Sequence, residues 1–303
     1  MDVPTRRAAG PLLLLATLLV LVLDHLRAES PRLAPVPAYT DPTTATAPAR
    51  LSGAFVPVIR SPTPGPSLPT PTPLFADIVD APVDRATQHI DLIERSGIYL
   101  AELDLLASDL QVALNYVSER VGIRPAQRIR VLITRDASCS FHAATYSLIR
   151  IIQIFSCDSI PLRRVVNIAA HEFVHQLAQD EYSLDHLRAD MILMEGFATW
   201  GAGSYWLGSR SSFSEFARDY RAAGYDIPLA SDYRSAGGID AMNALYYQWA
   251  SFVDFLIATY GRERFDKLYI SSNSRKPGSA DYRGVYGKTL HVLEQEWQQF
   301  LNQ

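Results

Sequence analysis

The residues His171-Glu172-Phe173-Val174-His175 are the part of the chain best suited to chemistry. Helical periodicity runs from Val165 to Gln179, so the two histidines fall one turn apart on one face. Two imidazoles at that spacing can share a tetrahedral zinc ion. Glu172 follows the first ligand and can face the remaining coordination position, where it can take a proton from the attacking water. A third ligand is expected at Glu195, in Leu193-Met194-Glu195-Gly196-Phe197-Ala198-Thr199. Nineteen residues separate it from His175, enough for a loop and a return to pack antiparallel. A carboxylate in so apolar a stretch is costly unless it is paired or metal-bound. Two His and one Glu plus a water form a catalytic zinc set, so one Zn2+ per chain is expected on His171, His175 and Glu195.

The pattern HEFVH, 18 residues and then MEGFATW resembles the gluzincin metallopeptidases. These include the thermolysin-like enzymes and the aminopeptidase N-like enzymes, whose second motif reads N-E-G-F-A. Here Met194 stands where the aminopeptidases have Asn, and the G-x-M-E-N segment that anchors a free amino terminus in that family does not occur. The wider layout, over roughly residues 80–301, is similar to the small bacterial peptidase MA-like domains. That resemblance implies an α+β, zincin-like fold. A small N-terminal β-sheet would pack its edge strand on the HExxH helix, and a mostly helical C-terminal half would follow. It implies zinc-dependent hydrolysis of a peptide or protein substrate, which could pair with the edge strand through its backbone. In the aminopeptidase N-like enzymes the oxyanion donor is a Tyr in a Y-x-x-G context. Tyr247-Gln248-Trp249-Ala250 is similar, which makes Tyr247 the expected donor and Tyr246 the alternative.

The remaining histidines read as less specific. His142 lies near the expected edge strand, and His89 and His291 read as surface residues. His186 falls between the zinc helices beside Asp185, Arg188 and Asp190, one of whose acids could orient a bound imidazole. Asn167 lies four residues before His171, on the same face.

Several elements must position these groups. A helical pattern runs from Val83 to Val121 and can divide at Gly97. Strands are expected at Arg128–Thr134 and Tyr146–Phe155. Pro161 opens the HExxH helix, Leu162 to about Gln179. Further helices are expected near 189–205, 212–223, 241–260, 263–270 and 288–301. Cys139 and Cys157 flank the second strand, one beyond each end. A ten-residue strand spans roughly 30 Å, so a bridge between them needs the chain to turn back. The sequence leaves that bridge open.

The N-terminal quarter has a different character. Arg6 and Arg7 precede an uncharged, Leu-rich stretch from Ala8 to Leu23, which reads as a signal peptide or signal anchor over residues 1–28. Residues 29–75 form a Pro/Thr-rich tract holding 12 of the 19 prolines, read as an extended stalk. The body, residues 76–303, is then expected outside the cytoplasm, released or held at a membrane by the apolar segment. It is expected to act as a monomer. Net charge is −4, with the acidic excess in the body, which disfavours nucleic acid as a partner. With 48% hydrophobic and 20% charged residues the chain is no disordered or fibrous protein. A peptidase fold that binds without turnover, and a zinc-stabilised structural domain, are the two rival classes. Glu172 counts against the second, since a structural site needs no base.

Overall fold

The computed structural model describes residues 80–140, 142–233 and 239–302. The expected signal segment and stalk lie outside the described residues. The fold is α+β: among the described residues a mixed five-stranded sheet, crossed by one helix, precedes the remaining helices. The strands are β1 (Arg85–Ala86), β2 (Ile90–Glu94), β3 (Ile129–Arg135), β4 (His142–Tyr146) and β5 (Ile151–Ser156). Their order across the sheet is β1-β2-β3-β5-β4. The inner strands β2, β3 and β5 are parallel, and β1 and β4 close the two edges antiparallel. Helix α1 (Leu103–Val121) makes the crossover from β2 to β3 and stops at Gly122, which takes a left-handed conformation.

Two expectations are corrected here. The helical pattern from Val83 to Val121 holds a helix only from Leu103; its first part is β1 and β2. Strand β2 is apolar at Ile90, Leu92 and Ile93, all buried. A parallel inner strand is covered on both faces, so it lacks the alternation that separates a strand from a helix. The single strand expected at Tyr146–Phe155 is instead the end of β4, a tight turn and β5. Leu148 and Ile149, which lengthened the apparent strand, sit exposed at the turn, and Arg150 closes it with φ 59°. This reversal brings Cys139 and Cys157 together as a disulfide, with Cα atoms 5.3 Å apart.

Helix α2 (Leu162–Tyr182) lies against β4 and β5 on one side and against α1 on another. A 3₁₀ turn, Ser183–Arg188, leads to α3 (Met191–Ala202), which packs on α2. Asp190 caps α3, accepting from the amide of Ile192 at 3.0 Å. The chain continues through α4 (Ser204–Leu207), α5 (Phe213–Ala222), α6 (Ile239–Tyr260), α7 (Arg262–Ile270), α8 (Tyr282–Tyr286) and α9 (Leu290–Phe300). Every residue of α3 is buried, so this helix is central to the core. Gly196 allows the closest approach: a Cβ there would meet the Trp249 carbonyl oxygen at 2.7 Å and Val253 at 2.9 Å. The α3–α6 contact is therefore nearly backbone to backbone beside Glu195. Among the described residues, no helix is long and apolar enough to cross a membrane.

Candidate metal centre

The register of α2 sets His171 and His175 one turn apart, and α3 lays Glu195 against them. The two imidazole Nε2 atoms are 3.1 Å apart. Glu195 Oε2 lies 3.3 Å from His171 Nε2 and 3.5 Å from His175 Nε2. Ligands about 2.0–2.1 Å from a tetrahedral zinc ion stand about 3.3 Å from one another. The triangle of these three atoms therefore fits a single ion. All three side chains are buried, and among the described residues this is the only His/Cys/Asp/Glu group that converges so. Burial alone raises the Glu195 carboxyl pKa. The imidazoles, His175 foremost, outweigh that and hold it below its ordinary value, so the group stands ionised.

Contacts around the three side chains fix their orientation. Thr199, one turn beyond Glu195 on α3, places Oγ1 3.4 Å from His171 Nδ1. With Nε2 as the ligating atom, Nδ1–H donates to this hydroxyl. The Trp206 ring stacks on His171 with centroids 4.9 Å apart, and its indole N–H donates to the Asn167 carbonyl at 3.0 Å. The His186 ring lies 5.7 Å from that of His175, and its Nδ1 meets the Tyr269 hydroxyl at 2.9 Å. The acids near His186 are engaged elsewhere. Asp185 pairs with Arg188 at 2.5 Å. Asp190 accepts from the amides of Ile192, Gly278 and Ala280 and from the Tyr282 hydroxyl. Thr199, rather than either acid, faces an imidazole Nδ1.

Glu172 sits on the same helix, fully buried, and reaches toward the edge strand. Thr145 of β4 donates to its Oε2 at 2.5 Å, while Oε1 has no hydrogen-bond partner among the described residues. A buried carboxylate oxygen left unmatched is costly, and here it is available to a proton-bearing reactant. Burial pushes the Glu172 carboxyl up to about 7. That value belongs to the metal-free site, where burial favours the protonated carboxyl.

The raised value has a consequence for the metal-free fold. Between the unfolded value and about 7 the native carboxyl holds a proton that the unfolded chain releases. Stability therefore falls as pH rises through that window. The shift from 4.5 to about 7 corresponds to a loss on the order of 3 kcal/mol above pH 7. Metal-free Glu172→Gln should melt several degrees above metal-free wild type at pH 8, and the gap should close near pH 4.5. Thermal melts across that range check it, and identical curves would place the carboxyl in an ordinary environment.

The two tyrosines separate. Tyr246 is buried, its ring centroid 6.3 Å from that of His171. Burial raises its hydroxyl pKa, and the charges of Glu195 and Glu172 push the same way. Tyr247 faces a different environment. Its hydroxyl donates to the Trp206 carbonyl at 3.3 Å, and its ring stacks on Phe216 at 4.2 Å. The remaining histidines lie apart from the triangle. His142 stacks on Phe155, His89 meets Gln111, and His291 meets Gln295.

Thr145, Thr199 and Trp206 were not singled out from sequence. Thr199 had a signal, since it stands four residues after Glu195 on one helical face. Thr145 had none, because its contact depends on how β4 lies against α2. No protein-family model matches the chain, and no curated protein matches it.

Proposed function

We propose that this chain is a zinc-dependent hydrolase of peptide bonds, with a gluzincin-type site on a zincin-like fold. The observation that carries the reading is the convergence of three buried ligand atoms at 3.1–3.5 Å with a buried, half-unpartnered Glu172 beside them. A structural zinc site would need no such base. His171, His175 and Glu195 would hold the ion, which when bound supplies Lewis acidity toward a carbonyl and toward water.

The chain's own groups do the rest. Glu172 takes the proton of the attacking water on Oε1 and later delivers it to the leaving amine. Thr145 holds Oε2, which aims Oε1. Strand β4 is an edge, and an extended peptide can pair along it beside Glu172. Tyr246, the tyrosine nearer His171, is the better placed donor to the oxyanion that forms on the scissile carbonyl. The basic and apolar start of the sequence, followed by the proline-rich tract, favours an exported body acting on extracytoplasmic peptides.

The test is a peptide pool analysed by mass spectrometry with zinc-loaded and chelator-stripped protein. Cleavage that requires zinc supports the reading; a pool left whole in both arms rejects it and leaves a binding module. Tyrosine variants then assign the donor. Tyr246→Phe should lower kcat by about 10²- to 10³-fold with little change in KM, and Tyr247→Phe should cost far less. The reverse order would return the role to Tyr247.

A further inference from the structure

The loop between α7 and α8, residues 271–281, is pinned to the start of α3. The amide of Asp190 donates to Ser272 Oγ at 3.0 Å, and the Asp190 carboxylate accepts from the amides of Gly278 and Ala280, each at 3.1 Å. Between these anchors the loop closes on itself. The Ser279 amide donates to the Lys276 carbonyl at 3.1 Å and the Ser279 hydroxyl to the Ser274 carbonyl at 2.5 Å. Arg275 stands inside this turn. Asp190 lies five residues before Glu195, about 7.5 Å along the helix axis, so the anchored turn holds Arg275 close to the metal centre.

Arg275 is partly buried. Its Nε–H is enclosed and has no hydrogen-bond partner among the described residues, and no carboxylate among them pairs with its guanidinium. Glu195 is turned to the two imidazoles and Glu172 to Thr145. The positive charge of Arg275 is felt at His186, Tyr246 and Tyr269. At His186 burial and then the His175 charge lower the imidazole pKa, and Arg275 adds to them. At the two tyrosines burial raises the hydroxyl pKa and Arg275 opposes it. These three side chains flank the candidate ligands. The Tyr246 ring lies 6.3 Å from that of His171, the His186 ring 5.7 Å from that of His175, and the Tyr269 hydroxyl meets His186 Nδ1. An enclosed donor left unmatched is costly, and an acceptor brought by a ligand would remove that cost.

We propose that Arg275 is a recognition residue for a carboxylate on the molecule that the metal centre binds, which makes acidic peptides the preferred substrate class. This deepens the hydrolase reading and rests on it for the word substrate. A guanidinium offers Nε–H and an Nη–H as two parallel donors, which match a planar carboxylate by paired, charge-assisted hydrogen bonds. The turn is fixed at both ends, so little ordering of the backbone opposes binding. The carboxylate could be the free C-terminus of a peptide or an acidic side chain.

The experiment uses calorimetry on the zinc-loaded full chain with matched hydroxamates, whose hydroxamate group anchors on the metal. Each pair ends in a carboxylate or in its carboxamide, over linkers of graded length. Wild type should bind the carboxylate member of at least one pair about tenfold or more tightly, the usual range for hydrogen bonds to a charged group. Arg275→Gln should bring that ratio toward one. Arg275→Lys, which keeps the charge and loses the fork, should fall between. No preference in any pair, no binding of any probe, or a ratio unchanged in either variant overturns the proposal.

Peptide kinetics separate this outcome from failure of hydrolysis itself. Wild type should cleave one of two matched pairs with a kcat/KM preference of about tenfold or more: free acid over C-terminal amide, or Glu over Gln within an amidated peptide. The first pair marks a C-terminal carboxylate and the second an acidic side chain. Cleavage that ignores the carboxylate in both pairs keeps the hydrolase and overturns the proposal. Arg275-dependent binding of the hydroxamates without cleavage of any peptide keeps the recognition residue and rejects the hydrolase.

Discussion

Glu172→Gln should abolish peptide hydrolysis while leaving zinc at one ion per chain. Gln keeps the size of the side chain and can still accept from Thr145, which bonds Oε2 of Glu172 at 2.5 Å. What it loses is the basic oxygen. A positioned general acid–base group is worth about 10²- to 10⁴-fold, and in the proposed mechanism one carboxylate acts in both proton transfers, so the loss should reach at least that range. KM should move little, since the proton transfer belongs to the transition state. Zinc content by elemental analysis, far-UV circular dichroism and steady-state kinetics on one preparation check this. Wild-type turnover in Glu172→Gln would sink the water-activation scheme. Loss of zinc together with activity would make Glu172 a ligand instead.

The second large effect concerns the ligands. His171→Ala and His175→Ala each remove one corner of a triangle whose sides are 3.1, 3.3 and 3.5 Å. Each should lose most of the bound zinc and reduce hydrolysis to background. Thr199→Val is milder, because it keeps all three ligands and removes only the acceptor facing His171 Nδ1. Loss of such an orienting partner typically weakens metal affinity by about 10- to 100-fold. Zinc also links to stability: at one hundred times its Kd a bound ligand adds about 2.7 kcal/mol. The wild-type melting temperature should rise on adding zinc, and that of the His171→Ala, His175→Ala double variant should not. Stoichiometric zinc in the double variant would remove the site from these residues.

The convergence of His171, His175 and Glu195 was legible because its geometry is local. Two histidines four apart on one helix need only the helix to be aligned, and an acid in an apolar stretch signals a partner by its cost. What the sequence hid depends on tertiary placement. Strand β2 is buried on both faces and so reads with a helix-like spacing at Ile90 and Ile93. Strand β4, His-Ala-Ala-Thr-Tyr, carries no large aliphatic residue, and its role as the edge beside Glu172 is visible only once β5 pairs with it.

The tyrosine pair shows the same limit at single-residue scale. Tyr246 and Tyr247 are about 100° apart around α6, so the phase of that helix against α3 decides which one lies toward His171. Gly196 sets the phase by admitting the Trp249 backbone and Val253. Tyr246 stands three and seven residues before these two, on the same face, and Tyr247 is turned toward Phe216.

The most direct test of the central claim is a zinc titration of chelator-stripped protein, read as the rate of cleavage of a fluorogenic peptide drawn from the pool. The rate should start at background, climb linearly with added zinc and break sharply at one equivalent per chain, and Glu172→Gln should bind the same equivalent and stay at background throughout. Full hydrolysis by the stripped protein, or zinc bound at one equivalent without any cleavage by wild type, would contradict the account.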